Sequence, residues 1–150
     1  MSDSFEIKRL DPGDLSLAKE LFLSFQSDDG VENPTFAPDE YLTKLLEKDD
    51  FHIIVAIKDE RVFGGLTAYE LLKYKAEKTE MFLYEIGVET AYRKCGAASC
   101  LIEALKEICR EKNIKTVFVL TEAGNLPARS LYEKTGGKGF AVVEFDYELE

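Results

Sequence analysis

The chain has 150 residues, 45% of them hydrophobic and 32% charged, which is the size and make-up of one globular domain. A formal net charge of -10 excludes general nucleic-acid binding, which needs a basic face, and suits a cationic partner. No apolar run nears the roughly 20 residues of a membrane span, and "MSDSFEIKRL" lacks the basic and apolar regions of a secretory signal, so a cytoplasmic protein with no membrane partner is expected.

The strand and helix periods divide the chain as follows. "FEIKRL" (Phe5 to Leu10) alternates and is predicted as a strand. "DPGD" then starts a helix, with Asp11 as N-cap, Pro12 at the first helical position, and Leu17, Leu21 and Phe25 as its apolar stripe. "SDDGVENPTFAP" is an acidic loop rich in turn residues. Pro38 opens a second helix through Lys48, with Tyr41, Leu42, Leu45 and Leu46 apolar. "FHIIVAIK" (Phe51 to Lys58) and "VFGGLTAYELL" (Val62 to Leu72) form a hairpin around "DER". The basic connector "KYKAEK" leads to "TEMFLYEIGV" (Thr79 to Val88), a long aromatic-rich strand.

"YRKCGAASC" follows as a basic, glycine-containing turn that opens an amphipathic helix to about Lys112. Such a turn either binds a phosphate or merely reverses the chain. "KTVFVL" (Lys115 to Leu120) is short and wholly apolar beyond its first residues, as a buried central strand would be. "NLPARSLYEKT" (Asn125 to Thr135) is a helix capped by Asn125, and "KGFAVVEFDYEL" (Lys138 to Leu149) is a last strand. The order β-α-α-β-β-β-α-β-α-β predicts a mixed α/β fold in one domain spanning residues 1–150. Its sheet is mixed, mostly antiparallel and twisted, with helices on both faces.

Three cysteines (Cys95, Cys100, Cys109) and one histidine (His52) match neither a disulfide framework nor a zinc pattern. No metal is expected, and little scope is left for Ser-His or Cys-His chemistry. Cys100 and Cys109 are expected to pack on the inner or flanking face of their helix.

Two segments carry a resemblance. "RKCGAA" (Arg93 to Ala98) is similar to the pattern (Q/R)-x-x-G-x-(G/A), and "NLPARSLYEKTGG" (Asn125 to Gly137) to N-x-x-A-x-x-x-Y-x-K-x-G. Both are acetyl-CoA segments of the GNAT N-acetyltransferase superfamily. The element order resembles that superfamily along essentially the whole chain. Within it, "AYELLK", "EMFLYEIGV" and the C-terminal "EFDYELE" resemble the small aminoglycoside 3-N-acetyltransferases.

The resemblance implies acetyl-CoA as cofactor and the amine of a cationic small molecule as acceptor. It also allows a homodimer through the C-terminal strand. Protein or peptide acetylation, on lysine or an N-terminal amine, and a non-catalytic acyl-CoA sensor are the alternatives.

The cofactor residues it implies are Arg93, Lys94, Cys95, Gly96, Ala97, Ala98 and Ser99 at the phosphates, with Asn125, Ala128 and Tyr132 on the later helix. A helix N-terminus offers unpaired N–H groups to a pyrophosphate, and Gly96 lets the backbone approach. Cys95 departs from many of the family's members, which carry arginine or glycine there. Ile86, Gly87 and Val88 are expected to bond the pantetheine arm where their strand splays from "KTVFVL".

Direct transfer needs a base for the ammonium proton and a donor for the leaving thiolate. Tyr132 is the expected donor, and Glu85 and Glu80 compete for the base. Five apart, these two point to opposite faces of a regular strand unless a bulge intervenes. Asp28, Asp29, Glu32, Tyr84, Glu144 and Asp146 are the expected acceptor-binding residues.

Overall fold

A computed structural model describes residues 4–75 and 78–150. The first three residues and the middle of the basic connector, residues 76–77, lie outside the described residues. The chain divides into two units, Met1–Leu120 and Thr121–Glu150.

The first unit runs β1 (Glu6–Arg9), α1 (Leu15–Asp28), α2 (Asp39–Leu46), β2 (Phe51–Lys58), β3 (Arg61–Lys73), β4 (Lys78–Val88), a single 3₁₀ turn at Thr90–Tyr92, α3 (Ala97–Glu111) and β5 (Thr116–Val119). The strands form one sheet in the order β1-β2-β3-β4-β5, antiparallel except for the parallel pair β4–β5. The parallel pair follows from α3, which returns the chain to the end where β4 began.

The alternation of β2 and β3 sorts the core into two layers. Phe51, Ile53 and Val55 face α1 and α2 and pack with Ala18, Leu21 and Leu46. Ile54, Leu66, Met81 and Leu83 are buried on the other face, which α3 covers with Leu101 and Leu105. α1 lies close to the sheet because Gly65 and Gly87 are opposite each other beneath it. A Cβ on Gly87 would stand 3.3 Å from the ring of Phe25, and one on Gly65 2.7 Å from Leu21. Packing requires glycine at Gly65, and at Gly87 a side chain would press on the Phe25 ring.

Some boundaries differ from the sequence reading. α1 starts at Leu15, later than expected. Asp11 does not cap it, because its carboxylate accepts from the Gly13 N–H at 2.8 Å and closes a separate turn over Pro12, with Asp14 N bonding Asp11 O at 2.9 Å. β5 is not a buried central strand. It is an edge strand of four residues, with Val117 and Leu120 exposed. Cys109 is buried as expected, but Cys100 is exposed.

The second unit holds α4 (Leu126–Lys134). The Asn125 side chain caps it by accepting from Ala128 N at 3.1 Å. Gly136 (φ 103°) and Gly137 close it, donating to the carbonyls of Glu133 and Tyr132, the paired bonds of a Schellman motif. The strand expected over Lys138–Leu149 is absent among the described residues, and its large apolar side chains are exposed. Backbone becomes a strand only when a neighbouring segment exchanges hydrogen bonds with it.

Candidate active site

The β3–β4 register decides which side chains share the cleft. Leu83 pairs with Ala68 and Glu85 with Thr67, so Tyr84 is an extra, bulged residue. Glu80 is opposite Leu71, Phe82 opposite Tyr69 and Glu85 opposite Thr67. Cross-strand partners share a face, and on β3 these partners alternate by two. The bulge therefore brings Glu80 and Glu85 onto one face, the face that α1 covers further along.

On that face the aromatic side chains touch in a run. Phe118 stacks on Phe82 (4.6 Å between centroids), Phe82 meets Tyr84 edge-on (5.5 Å), Tyr84 meets Tyr69 edge-on (5.5 Å), and Tyr69 lies 4.8 Å from Phe51. Sequence reasoning found Tyr84 but missed Tyr69 and Phe82. Alternation marked their strands, but only the register shows that they are neighbours. Burial pushes the Tyr69 phenol up, helped by Tyr84, Tyr41 and Glu85.

Glu85 stands at the open side of this bed. The surrounding protein pushes its carboxyl above the usual range, and the negative charge of Asp29 adds to the shift. Asp29 follows the last residue of α1, so the end of that helix delivers a second carboxylate to the same place. Glu80 is held by Lys73 at 3.2 Å. Glu32 is exposed on the following loop. Gln26 closes that loop, its amide donating to Thr35 O (2.7 Å) and accepting from Thr35 N (2.9 Å).

Asp28 has a different setting. Its carboxylate accepts from Thr90 N (3.1 Å), Thr90 Oγ1 (3.0 Å) and Arg93 Nη2 (2.7 Å). Arg93 also donates from Nε to Val88 O at 3.0 Å. One residue thus ties the end of α1, the end of β4 and the turn before α3 together.

The β4–β5 ladder ends at Leu83 and Val119. Beyond it, Glu85, Ile86, Gly87 and Val88 keep their pairing to β3 but, among the described residues, pair with no strand on the β5 side. This is the splay expected from the sequence, and it begins at the bulge. The turn that follows is left-handed at Lys94 (φ 69°) and Gly96 (φ 86°). Gly96 precedes Ala97, the first residue of α3, and no side chain caps that helix. A Cβ at Gly96 would meet nothing within 4 Å, so the space before the helix is open. The first N–H groups of α3, on Ala97, Ala98 and Ser99, point along the helix axis toward that space. An uncapped helix start facing open space beside Arg93 and Lys94 fits an anionic pyrophosphate. Cys95 is exposed and borders a small cavity of about 140 Å³ lined by Phe5, Lys58, Phe63, Ala91, Tyr92 and Arg93.

In the second unit, Asn125, Ala128 and Tyr132 all belong to α4 or its cap. Burial pushes the Tyr132 phenol up, so it stays protonated through neutral pH. Glu144 and Asp146 share a hydrogen bond, which raises the Glu144 carboxyl. Among the described residues no three or more His, Cys, Asp or Glu side chains are grouped to hold a metal, and no helix is long and apolar enough to cross a membrane.

The sequence profile of the Acetyltransferase (GNAT) family matches residues 17–137. No curated protein matches the sequence. Among solved structures, the aminoglycoside acetyltransferase meta-AAC0020 from an uncultured soil metagenomic sample, in complex with sisomicin, is similar at 30% identity, with 97% of each chain covered and a TM-score of 0.93. The aminoglycoside acetyltransferase HMB0005, also from an uncultured soil metagenomic sample, is similar at 30% identity, covering 98% of this chain and 99% of its own, with a TM-score of 0.92. AAC(6')-Iy in complex with the bisubstrate analog CoA-S-monomethyl-acetylneamine shares the fold at 18% identity, 97% and 99% coverage and a TM-score of 0.75. A profile that spans most of the chain, and a fold shared along nearly all of it, make this protein a member of the GNAT acetyltransferase family, an N-acetyltransferase whose acetyl donor is acetyl-CoA.

Proposed function

We propose that this protein acetylates a primary amine of a cationic, aminoglycoside-like small molecule. One observation carries the reading. The bulge at Tyr84 puts Glu80 and Glu85 on the face of the aromatic run and sets Glu85 near Asp29, just past the end of the β4–β5 ladder. Aromatic rings offer apolar beds for sugar rings and attract cations. Carboxylates around them bind ammonium groups by charge-assisted hydrogen bonds. The likeness to a soil enzyme in complex with sisomicin supports the same class of acceptor.

Acetyl-CoA supplies an acyl group already activated as a thioester, so the protein needs no nucleophile of its own. Its residues bind, orient and move protons. Gly96 and the N–H groups of Ala97, Ala98 and Ser99, with Lys94 and Arg93 nearby, hold the phosphates. The open backbone of Ile86, Gly87 and Val88 bonds the extended arm as an added strand would. Glu85 takes a proton from the acceptor ammonium, a task that its raised pKa suits. Glu80, Asp29, Glu32, Tyr84 and Tyr69 orient the acceptor. Asn125 sets the start of α4, and Tyr132 gives its proton to the departing sulfur.

The test is thiol release from acetyl-CoA across a panel of aminoglycosides, polyamines, and peptides with free lysine or N-terminal amines. Turnover on aminoglycosides or related aminosugars is expected. Turnover on peptides alone would make the protein a peptide acetyltransferase. Calorimetric binding of acetyl-CoA with no turnover on any amine would make it a sensor.

A further inference from the structure

The pairing of β3 with β4 lays the face of the aromatic run out as a strip with two unlike ends. Along it Glu85 is opposite Thr67, Phe82 opposite Tyr69, Glu80 opposite Leu71 and Lys78 opposite Lys73. Glu85, with Asp29 near it, makes one end acidic. Lys73 and Lys78, on either side of the basic connector, make the other end basic. Between the two glutamates the floor is Phe82 and Tyr69, with Phe118 stacked on Phe82. From Thr67 to Leu71, at about 3.3 Å per residue, the glutamates lie about 13 Å apart along the strip. Both cannot touch the same amine.

Glu80 already holds a cation. Lys73 Nζ stands 3.2 Å from its Oε1, with the lysine side chain 49% and the glutamate side chain 24% exposed. A pair this open to water contributes little and exchanges readily. Its lysine ends in an ammonium, the group that a polyamine or aminosugar also carries.

We infer that Glu80 is a specificity-determining residue, which binds a second ammonium of the acceptor about 13 Å from the reacting one, and that Lys73 holds that place until the acceptor displaces it. This rests on the reading that the reacting amine lies at Glu85. The exchange leaves no charge unpaired, because Lys73 returns to water as the acceptor's ammonium meets Glu80. An acceptor already bound at Glu85 presents its second ammonium at high effective concentration if its length matches the span, and not if it is shorter. The chain between the two charges lies on the rings of Phe82 and Tyr69. The protein thus selects for the spacing of charges as well as for their presence.

Calorimetry with α,ω-diamines of increasing chain length, on the full-length protein with coenzyme A bound, tests this without needing turnover. Affinity is expected to rise once the chain reaches the span. Glu80→Gln should remove that rise, weakening a matched diamine about tenfold against a short one, as loss of a charged hydrogen-bond partner does. Lys73→Ala should strengthen the matched diamine about two- to fivefold against the short one, the worth of an exposed ion pair. Lys75→Ala, which removes the same charge from the connector, should leave that ratio unchanged. An affinity that does not depend on length overturns the inference. So does a length dependence that survives Glu80→Gln, or a Lys75→Ala effect equal to that of Lys73→Ala. The expected length dependence with no acetylation of any amine would sink the acetylation reading and leave the role of Glu80 standing.

Discussion

Glu85 gains its proton affinity from the protein around it and from Asp29, and each source has its own test. Glu85→Gln should lower kcat by about 10²–10⁴, the usual worth of a positioned base, with little change in the KM for acetyl-CoA. Its stability should move the other way. A raised folded pKa means that the fold prefers the protonated form. The stabilisation is complete below the unfolded pKa and is lost as pH rises through the folded value. At pH 7 the ionised group is therefore a cost, and Glu85→Gln should melt no lower than the natural protein. Removing the neighbouring charge with Asp29→Asn should lower the Glu85 pKa. The acid limb of the pH–kcat profile should then move to lower pH, and an unmoved limb would take Glu85 out of the base role. Asp28, the last residue of α1, is the neighbouring carboxylate, but its oxygens are engaged by Thr90 and Arg93. Asp28→Ala should raise the KM for acetyl-CoA more than that for the amine, which steady-state kinetics with each substrate varied will show. The sequence marked these acidic residues as a group. It did not separate the one that anchors the turn before α3 from the one that charges the cleft, because that depends on which donors lie within about 3 Å.

At the scale of elements, two backbone irregularities make the site. The first is the bulge on β4. In a regular strand Glu80 and Glu85 would oppose each other, and one inserted residue, Tyr84, cancels the difference. The same place ends the pairing with β5, so the opening for an extended ligand and the placing of the base have one cause. The second is the left-handed turn at Lys94 and Gly96. Gly96→Val has room for its side chain but not the conformation, and it should cost about 1–2 kcal/mol of stability. Its branched side chain also stands before the N–H groups of α3, so the KM for acetyl-CoA should rise clearly while kcat changes little. Thermal melts and initial rates check both halves. The turn and the helix after it were legible because glycine and small residues followed by a 3.6-residue period are local signals. The bulge was not legible, because nothing in "FLYEIG" alone says which residue β3 will leave unpaired.

At the scale of the whole molecule, a net charge of -10 sets up a field that favours cations. The kcat/KM for a polycationic amine should fall as salt is raised from low ionic strength, because screening shortens the reach of that field to about 10 Å at 0.1 M. For a monoamine the slope should be shallow, and equal slopes would confine the charge effect to solubility. The sequence by itself determined the order of helices and strands as far as α4, the two segments that resemble the family's acetyl-CoA motifs, the Asn125 cap and the acidity that suits an amine. These are properties of short windows, in which period, capping chemistry and charge act between near neighbours. Only the tertiary structure decided that β5 is an edge among the described strands, that Glu80 and Glu85 share a face, that Tyr69 and Phe82 join Tyr84 in one aromatic run, and that residues 138–149 form no strand among the described residues. Each of these depends on pairing between segments far apart in the chain. A strand's hydrogen-bonding groups and its register belong to the pair and not to either strand alone.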